Sequence, residues 1–392
     1  MSAHNTRVES NSKPVDGLLL AGLDGANPLG FLAALGALQT LFSTNPNSSV
    51  SMSWTESSLG WRPSIHGTGT DLAAMCRQIA NHLKCPFQPD PDAERRREDA
   101  LKEFDDTRSQ LGKVLEGFKK RGLKGKERES AEQTEIEPLR VKVATRRDSW
   151  LRTLGECVPS HELALGKHLN ATDVEFRDAS LRALESAGLG QREVVDFFAS
   201  FGSDACCLKK STQMQPTPFC FITGSGHQYF LDTVRQLTTN LEALRFESAL
   251  GRECEPDDEK LSMRWDPQED RRYAHMWSDP TASGNRAKTN WALNLLAYRG
   301  LLLTPSVPTS NGLRTTGWPL VRLSHWTWPI WNGAVSTALA RSLLTHPSLA
   351  SDDHDLERLS GLGIRAVYRS TRIQVGNPPL HKVNFTPAER IA

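Results

Sequence analysis

The period of the apolar positions changes several times along the chain, and each change predicts an element. Residues 17–23 (GLLLAGL) form a short apolar run between Pro14 and Asp24, which predicts a buried strand. The DGANP that follows offers Asn27 as a helix N-cap and Pro28 at the first helical position. Residues 29–42 (LGFLAALGALQTLF) are apolar nearly all round, the pattern of a buried helix. Gly30 and Gly36, among alanines, predict that another backbone comes close to this helix. Ser and Thr mixed with aromatic residues over 50–66 predict a hairpin, and Asp71 caps an amphipathic helix that runs to Leu83.

From Pro91 the pattern changes to dense charge of both signs. Leu101, Phe104, Leu111, Val114, Leu115 and Phe118 recur at spacings of three and four, the mark of an amphipathic helix with solvated flanks. Gly122 and Gly125 break it before a second charged helical stretch, so residues 91–150 read as a helical hairpin with FKKRGLKGKER at its tip. Two glycine-stopped helical patterns follow, RDASLRALESAG and REVVDFFASFG. FCFI then reads as a short strand, TGSG as a turn, and residues 228–241 as a helix. Farther on, 289–303 is an apolar helix, GLRTTGW a strand, and 336–344 a helix. GIRAVYRSTRIQV and HKVNF, separated by GNPP, make a terminal hairpin on which Arg365, Arg369, Arg372 and Tyr368 form a basic, aromatic strand.

Together these elements predict an α+β protein. A disordered lead (1–16) precedes an N-terminal strand–helix unit (17–90). The charged helical hairpin (91–150), a mostly helical region (151–262) and a mixed, aromatic-rich C-terminal region (263–392) follow. A length of 392 residues allows roughly two or three domains.

Composition narrows the function only where it departs from the ordinary. The net charge of +1 carries no global basic excess, so any nucleic-acid surface has to come from local segregation of charge. The seven Cys show neither a CxxC pair nor zinc-site spacing, which fits a reducing cytoplasm. There is no run of about 18 apolar residues, so no membrane span is expected. Neither GxGxxG nor GxxxxGK[ST] is present, and Asp24 opposes an anion at the first helix, so no cofactor is expected.

Seven of the ten Trp lie between Trp265 and Trp331, interleaved with Arg and Lys. Such a mixture offers π-faces for bases and cations for phosphates. Trp among prolines and apolar residues more often builds a core, and Trp265, Trp326, Trp328 and Trp331 read as core anchors. The polar residues of that stretch remain as candidates for nucleic-acid contact: Arg271, Arg272, Arg286, Lys288, Asn290, Arg314, Thr315 and Thr316. The hairpin tip supplies Lys119, Lys120, Arg121, Lys124 and Lys126, which would grip phosphate without reading sequence. Asp266, Asp270, His275 and Asp279 offer a competing reading, a metal-dependent nuclease, although their spacing matches no specific motif. A purely structural scaffold is the third reading.

LDGANPLGFLAALGALQTL, WDPQEDRRYA with its following DP, GLRTTGW, TWPIW, YRSTRIQVGNPP and VNFTPA occur in this order over nearly the full chain. In these motifs the chain resembles the large-subunit-type (Csb-three) proteins of type I-U/I-G CRISPR Cascade complexes. FITGSGHQYFL departs from the family pattern by being less glycine-rich. The resemblance implies a non-catalytic subunit of a crRNA-guided surveillance complex acting in antiviral defence. Its partners would be crRNA, target double-stranded DNA, the other Cascade subunits and a helicase-nuclease recruited on target binding. It also implies recognition of the protospacer-adjacent motif, without assigning the residues that read it.

Overall fold

The structure, a computed structural model, describes residues 17–84, 89–188, 192–224, 228–240, 243–253, 256–269, 288–319, 324–349, 356–375 and 382–392. The predicted lead (1–16), the second half of TGSG, the segment 270–287 and the GNPP turn lie outside the described residues. The fold is α+β, with helices in the majority and strands gathered in small sheets.

The N-terminal unit opens with β1 (Leu18–Leu19), which pairs with β3 (Gly60–His66); β3 in turn forms a hairpin with β2 (Ser51–Ser57). Between β1 and β2 runs α1 (Pro28–Thr44), begun by Asn27, whose side-chain oxygen accepts from the Leu29 and Gly30 amides. Every residue of α1 from Pro28 to Leu41 is buried, so this apolar helix is the axis of the molecule. Next comes α2 (Leu72–Leu83), capped by Asp71.

The charged segment forms a helical hairpin of α3 (Pro91–Arg121) and a return arm. The return arm comprises α4 (Gly125–Ala131), a π-helical turn and α5 (Glu137–Glu156). Its base joins the main core through Phe104 stacked on Trp150 at 5.5 Å. Farther out the buried apolar residues are Phe118 and Ile136, and neither belongs to that core. Then follow α6 (Asp173–Gly188), α7 (Arg192–Phe201), α8 (Phe230–Thr239) and α9 (Ala243–Gly251).

FCFI, expected as a strand, is not one. Phe219, Cys220, Phe221 and Ile222 are all buried, but in irregular backbone. A short all-apolar run signals burial rather than a particular secondary structure, and here the burial is satisfied without a ladder.

Two short strands, β4 (Asp258–Glu259) and β5 (Lys288–Thr289), pair ahead of α10 (Trp291–Gly300), and β6 (Ser306–Thr309) and β7 (Gly312–Thr315) form a hairpin. The C-terminal sheet is built on β8 (His325–Trp331) and the long β9 (Ile364–Val375), with α11 (Thr337–Leu344) and α12 (Leu356–Gly361) between them. β10 (Lys382–Phe385) and β11 (Glu389–Arg390) also pair with β9.

The aromatic stretch is core, as the Trp–Pro pattern predicts: Trp265, Trp318, Trp326, Trp328 and Trp331 are fully buried. Phe31 of α1 lies among Trp54 at 5.5 Å, Trp326 and Trp328 at 5.8 Å, and Trp331 at 6.2 Å. Strand alternation would send Trp331 to the opposite face from Trp326 and Trp328. A register shift between Ile330 and Trp331 turns it back toward Phe31.

Two of the motifs that carry the family resemblance, WDPQEDRRYA and TWPIW, reach the Asp24–Asn27 loop of a third. Asp24 accepts from the Trp61 amide, the Gly25 carbonyl accepts from Trp328 Nε1 at 2.9 Å, and Asn27 Nδ2 donates to Asp266 Oδ1 at 3.0 Å. Trp326 stacks on Phe385 of β10. Among the described residues, no helix is long and apolar enough to cross a membrane.

Candidate nucleic-acid interface and a buried polar site

The 31 residues of α3 give a rod of about 46 Å at 1.5 Å per residue. At its end the chain reverses through Gly122 (φ 62°), a conformation that suits glycine. The five expected tip cations divide into two groups. Arg121 is held on the hairpin itself: it makes a bidentate pair with Glu135 (2.9 and 2.7 Å) and lies 5.3 Å from the centre of the Phe118 ring. The hydrogen bond between them raises the Arg121 pKa and lowers that of Glu135. Lys120 pairs with Glu116 one turn earlier. Lys119, Lys124 and Lys126 are exposed and make no ion pair among the described residues. The tip therefore presents three open ammonium groups at the end of an arm on which several other charges pair internally.

The described central candidates do not form one surface. Arg271, Arg272 and Arg286 lie outside the described residues. Lys288 pairs with Asp257 at 2.9 Å. Asn290 is the N-cap of α10, accepting from the Leu293 amide at 3.0 Å. Thr315 is buried and bonded to the Ser306 hydroxyl at 2.7 Å, which removes it as a nucleic-acid contact. Thr316 donates to the Pro305 carbonyl. Two-residue alternation leaves Arg314 exposed on β7 between buried Leu313 and Thr315. Of the described members of this set, Arg314 is the one that stands open to a ligand.

The basic face expected on the terminal hairpin is also divided. Arg372 sits on the opposite side of β9 from Arg365 and Arg369, by the same alternation. It is half-buried with its guanidinium 5.4 Å from the Phe221 ring centre, and burial lowers its pKa. The Tyr368 hydroxyl accepts from Trp61 Nε1 at 3.1 Å. In the proposed metal set, Asp266 is buried and its Oδ1 serves Asn27 and the Gln268 amide, a structural brace. Asp270, His275 and Asp279 lie outside the described residues, among which no group of three His, Cys, Asp or Glu could hold a metal ion.

A second site was not singled out from the sequence. Arg299 near the end of α10 binds Glu193 of α7 and lies 3.3 Å from His82 Nε2 of α2. Glu193 also accepts from Ser43 of α1 and meets His82 at 3.3 Å. Burial pushes the Glu193 carboxyl up, but Arg299, with His82 and Ser43, outweighs that and holds it down at about 2. These groups line a cavity of about 540 Å³, as do Glu162 and Tyr298. His82, near the end of α2, is part of this cluster. An Arg inside the apolar run TNWALNLLAYRG was the available signal, because a guanidinium in a buried helix requires a partner.

No family model, curated protein or solved structure matches the chain.

Proposed function

We propose that this chain is a non-catalytic, cytoplasmic large subunit of a crRNA-guided CRISPR surveillance complex. In this role it contacts the guide handle and target duplex DNA, takes part in reading the protospacer-adjacent motif, and offers a surface for the helicase-nuclease. The observation that carries the reading is the charged arm ending in Lys119, Lys124 and Lys126. A protein with a net charge of +1 has no general affinity for nucleic acid, and a distant cluster of open lysines supplies it locally. Guide pairing provides most of the sequence discrimination in such an assembly, so the protein has to track phosphate and read only a short motif. The motif order supports this reading, and Asp266 and Trp328, from two of the motifs, meet the Asp24–Asn27 loop of a third in one core.

The test is binding of the assembled complex to target duplex over a salt series. Each phosphate contact contributes about 0.9 to the slope of log affinity against log salt. Replacing Lys119, Lys124 and Lys126 with Ala should weaken binding and reduce that slope by about 2–3. Preference among adjacent motifs should stay unchanged, because phosphate carries no base information. An unchanged affinity and slope would make the arm a solvated spacer and favour the scaffold reading.

A further inference from the structure

The cavity between α1, α2, α7, α8 and α10 has one satisfied wall and one unsatisfied end. On the Glu193–Arg299–His82–Ser43 wall, Glu193 accepts from Ser43 and Arg299, and His82 Nε2 lies within 3.3 Å of both Glu193 and Arg299. Glu162, from the 3-10 turn His161–Ala164, and Tyr298 of α10 are 4% and 3% exposed. Glu162 Oε1 accepts from the Ser160 hydroxyl at 2.6 Å, while Oε2 has no partner, nor has the Tyr298 hydroxyl. A buried polar atom without a partner points to something that completes it.

We propose that this cavity binds a small organic cation, whose ammonium head donates to Glu162 Oε2 and the Tyr298 oxygen while an apolar body lies along Leu163, Phe197 and Val234. Several observations select this chemistry. Glu162 Oε2 is an acceptor, and the cation closest to hand, Arg299, is engaged by Glu193. Of the acids that line the cavity, Glu193 pairs with Arg299 and Asp196 with Arg192, which leaves Glu162 as the carboxyl without a cationic partner among the described residues. The volume of about 540 Å³ is that of a small-molecule site, far larger than a bridging water needs. Arg192, with its side chain 73% exposed, connects the cavity lining to solvent, and the two orphan atoms are buried. The site does not depend on the nucleic-acid reading above.

Burial pushes the Glu162 carboxyl up to about 7, with Arg299 and the Ser160 hydroxyl opposing and Glu193 adding to the rise. The other charged or titratable groups around the cavity are Tyr298, His82 on α2, Arg192 and Asp196 on α7, and Arg235 on α8. The empty site therefore holds a proton near neutrality, and an ammonium would displace it. Affinity for an amine should rise as pH increases through about 7.

Calorimetric titration of the full chain with phenethylamine at pH 8, with phenethyl alcohol as the neutral control, tests the proposal. Saturable one-to-one binding of the amine is expected, at least about tenfold tighter than the alcohol. Between pH 6 and pH 8 the amine affinity should gain about tenfold, and Glu162→Gln should remove both the preference and the pH slope. Tyr298→Phe should weaken binding and keep the slope. Absence of saturable binding, equal binding of the alcohol, or an unaltered slope in folded Glu162→Gln protein would overturn the assignment. If Glu162→Gln does not fold, the alcohol comparison and Tyr298→Phe decide: amine selectivity that Tyr298→Phe leaves at full affinity also overturns it.

Discussion

Gly36 of α1 and Gly300 of α10 face each other where the two helices cross. A methyl group built on Gly36 would stand 1.7 Å from the Leu296 carbonyl oxygen and 3.0 Å from the Gly300 amide nitrogen. One on Gly300 would stand 2.2 Å from the Leu32 carbonyl oxygen. The two backbones touch because neither residue has a side chain, and this contact sets the depth at which α10 lies against α1.

Alanine should therefore act with opposite sign at two helical glycines. Gly36→Ala gains helix propensity but must push two backbones apart, and should cost about 3 kcal/mol or more. Gly112→Ala on α3, where nothing lies within 4 Å of the added methyl, should stabilise by about 0.5–1 kcal/mol. Denaturant unfolding of both variants checks the pair. Equal effects would mean that the α1–α10 contact yields without cost.

Trp328→Ala should destabilise by about 3–5 kcal/mol, because it opens a cavity beside Phe31 and leaves the Gly25 carbonyl without its donor. Arg314→Ala should leave the melting temperature within about 2 °C, the usual outcome for an exposed position. The comparison by thermal unfolding separates core from surface within one aromatic-rich stretch. A large loss for Arg314→Ala would assign that residue to the fold.

Asp266 ties the second half of the chain to the first helix. Asp266→Ala should cost about 1–3 kcal/mol by stranding Asn27 Nδ2 and the Gln268 amide, whereas Asp266→Asn keeps the accepting oxygen and should cost less. If Asp266→Asn melts normally and instead abolishes a divalent-metal-dependent cleavage seen in the wild type, the carboxylate acts in chemistry and the nuclease reading stands.

Stability should depend on pH through two groups of opposite sign. Burial raises Glu162 and Glu269 from 4.5 to about 7, so the folded protein retains protons that the unfolded chain releases. Their contribution is complete below about pH 4.5 and declines as pH rises to about 7, by about 2–3 kcal/mol per group. Glu193 is lowered to about 2, so its contribution is complete above about pH 4.5 and is lost as pH falls toward 2. Melting temperatures should be highest in mildly acidic buffer. Glu162→Gln and Glu269→Gln should flatten the decline toward neutrality, and a wild-type profile that is flat from pH 4.5 to 7.5 would contradict both assignments.

Local period carries far in this protein. The spacing of Leu101 to Phe118 and the Gly122–Gly125 break describe the charged hairpin, because helix periodicity and glycine stops are properties of neighbouring residues. Asn27 and Pro28 begin α1 for the same reason, and its unbroken apolar character already requires burial on every side. The prolines and apolar residues around Trp326, Trp328 and Trp331 are enough to place them in the core.

Long-range closure decided the rest. Whether Lys119 or Arg121 is open depends on whether an acid from the returning arm reaches it, and Glu135 reaches Arg121. Arg372 is taken from the basic strand by Phe221, a residue about 150 positions earlier. The polar cavity draws Ser43, His82, Glu162, Glu193 and Arg299 from five separate elements. No local pattern joins them, because the partner that a buried charge demands is chosen by packing across the fold, not by spacing along the chain.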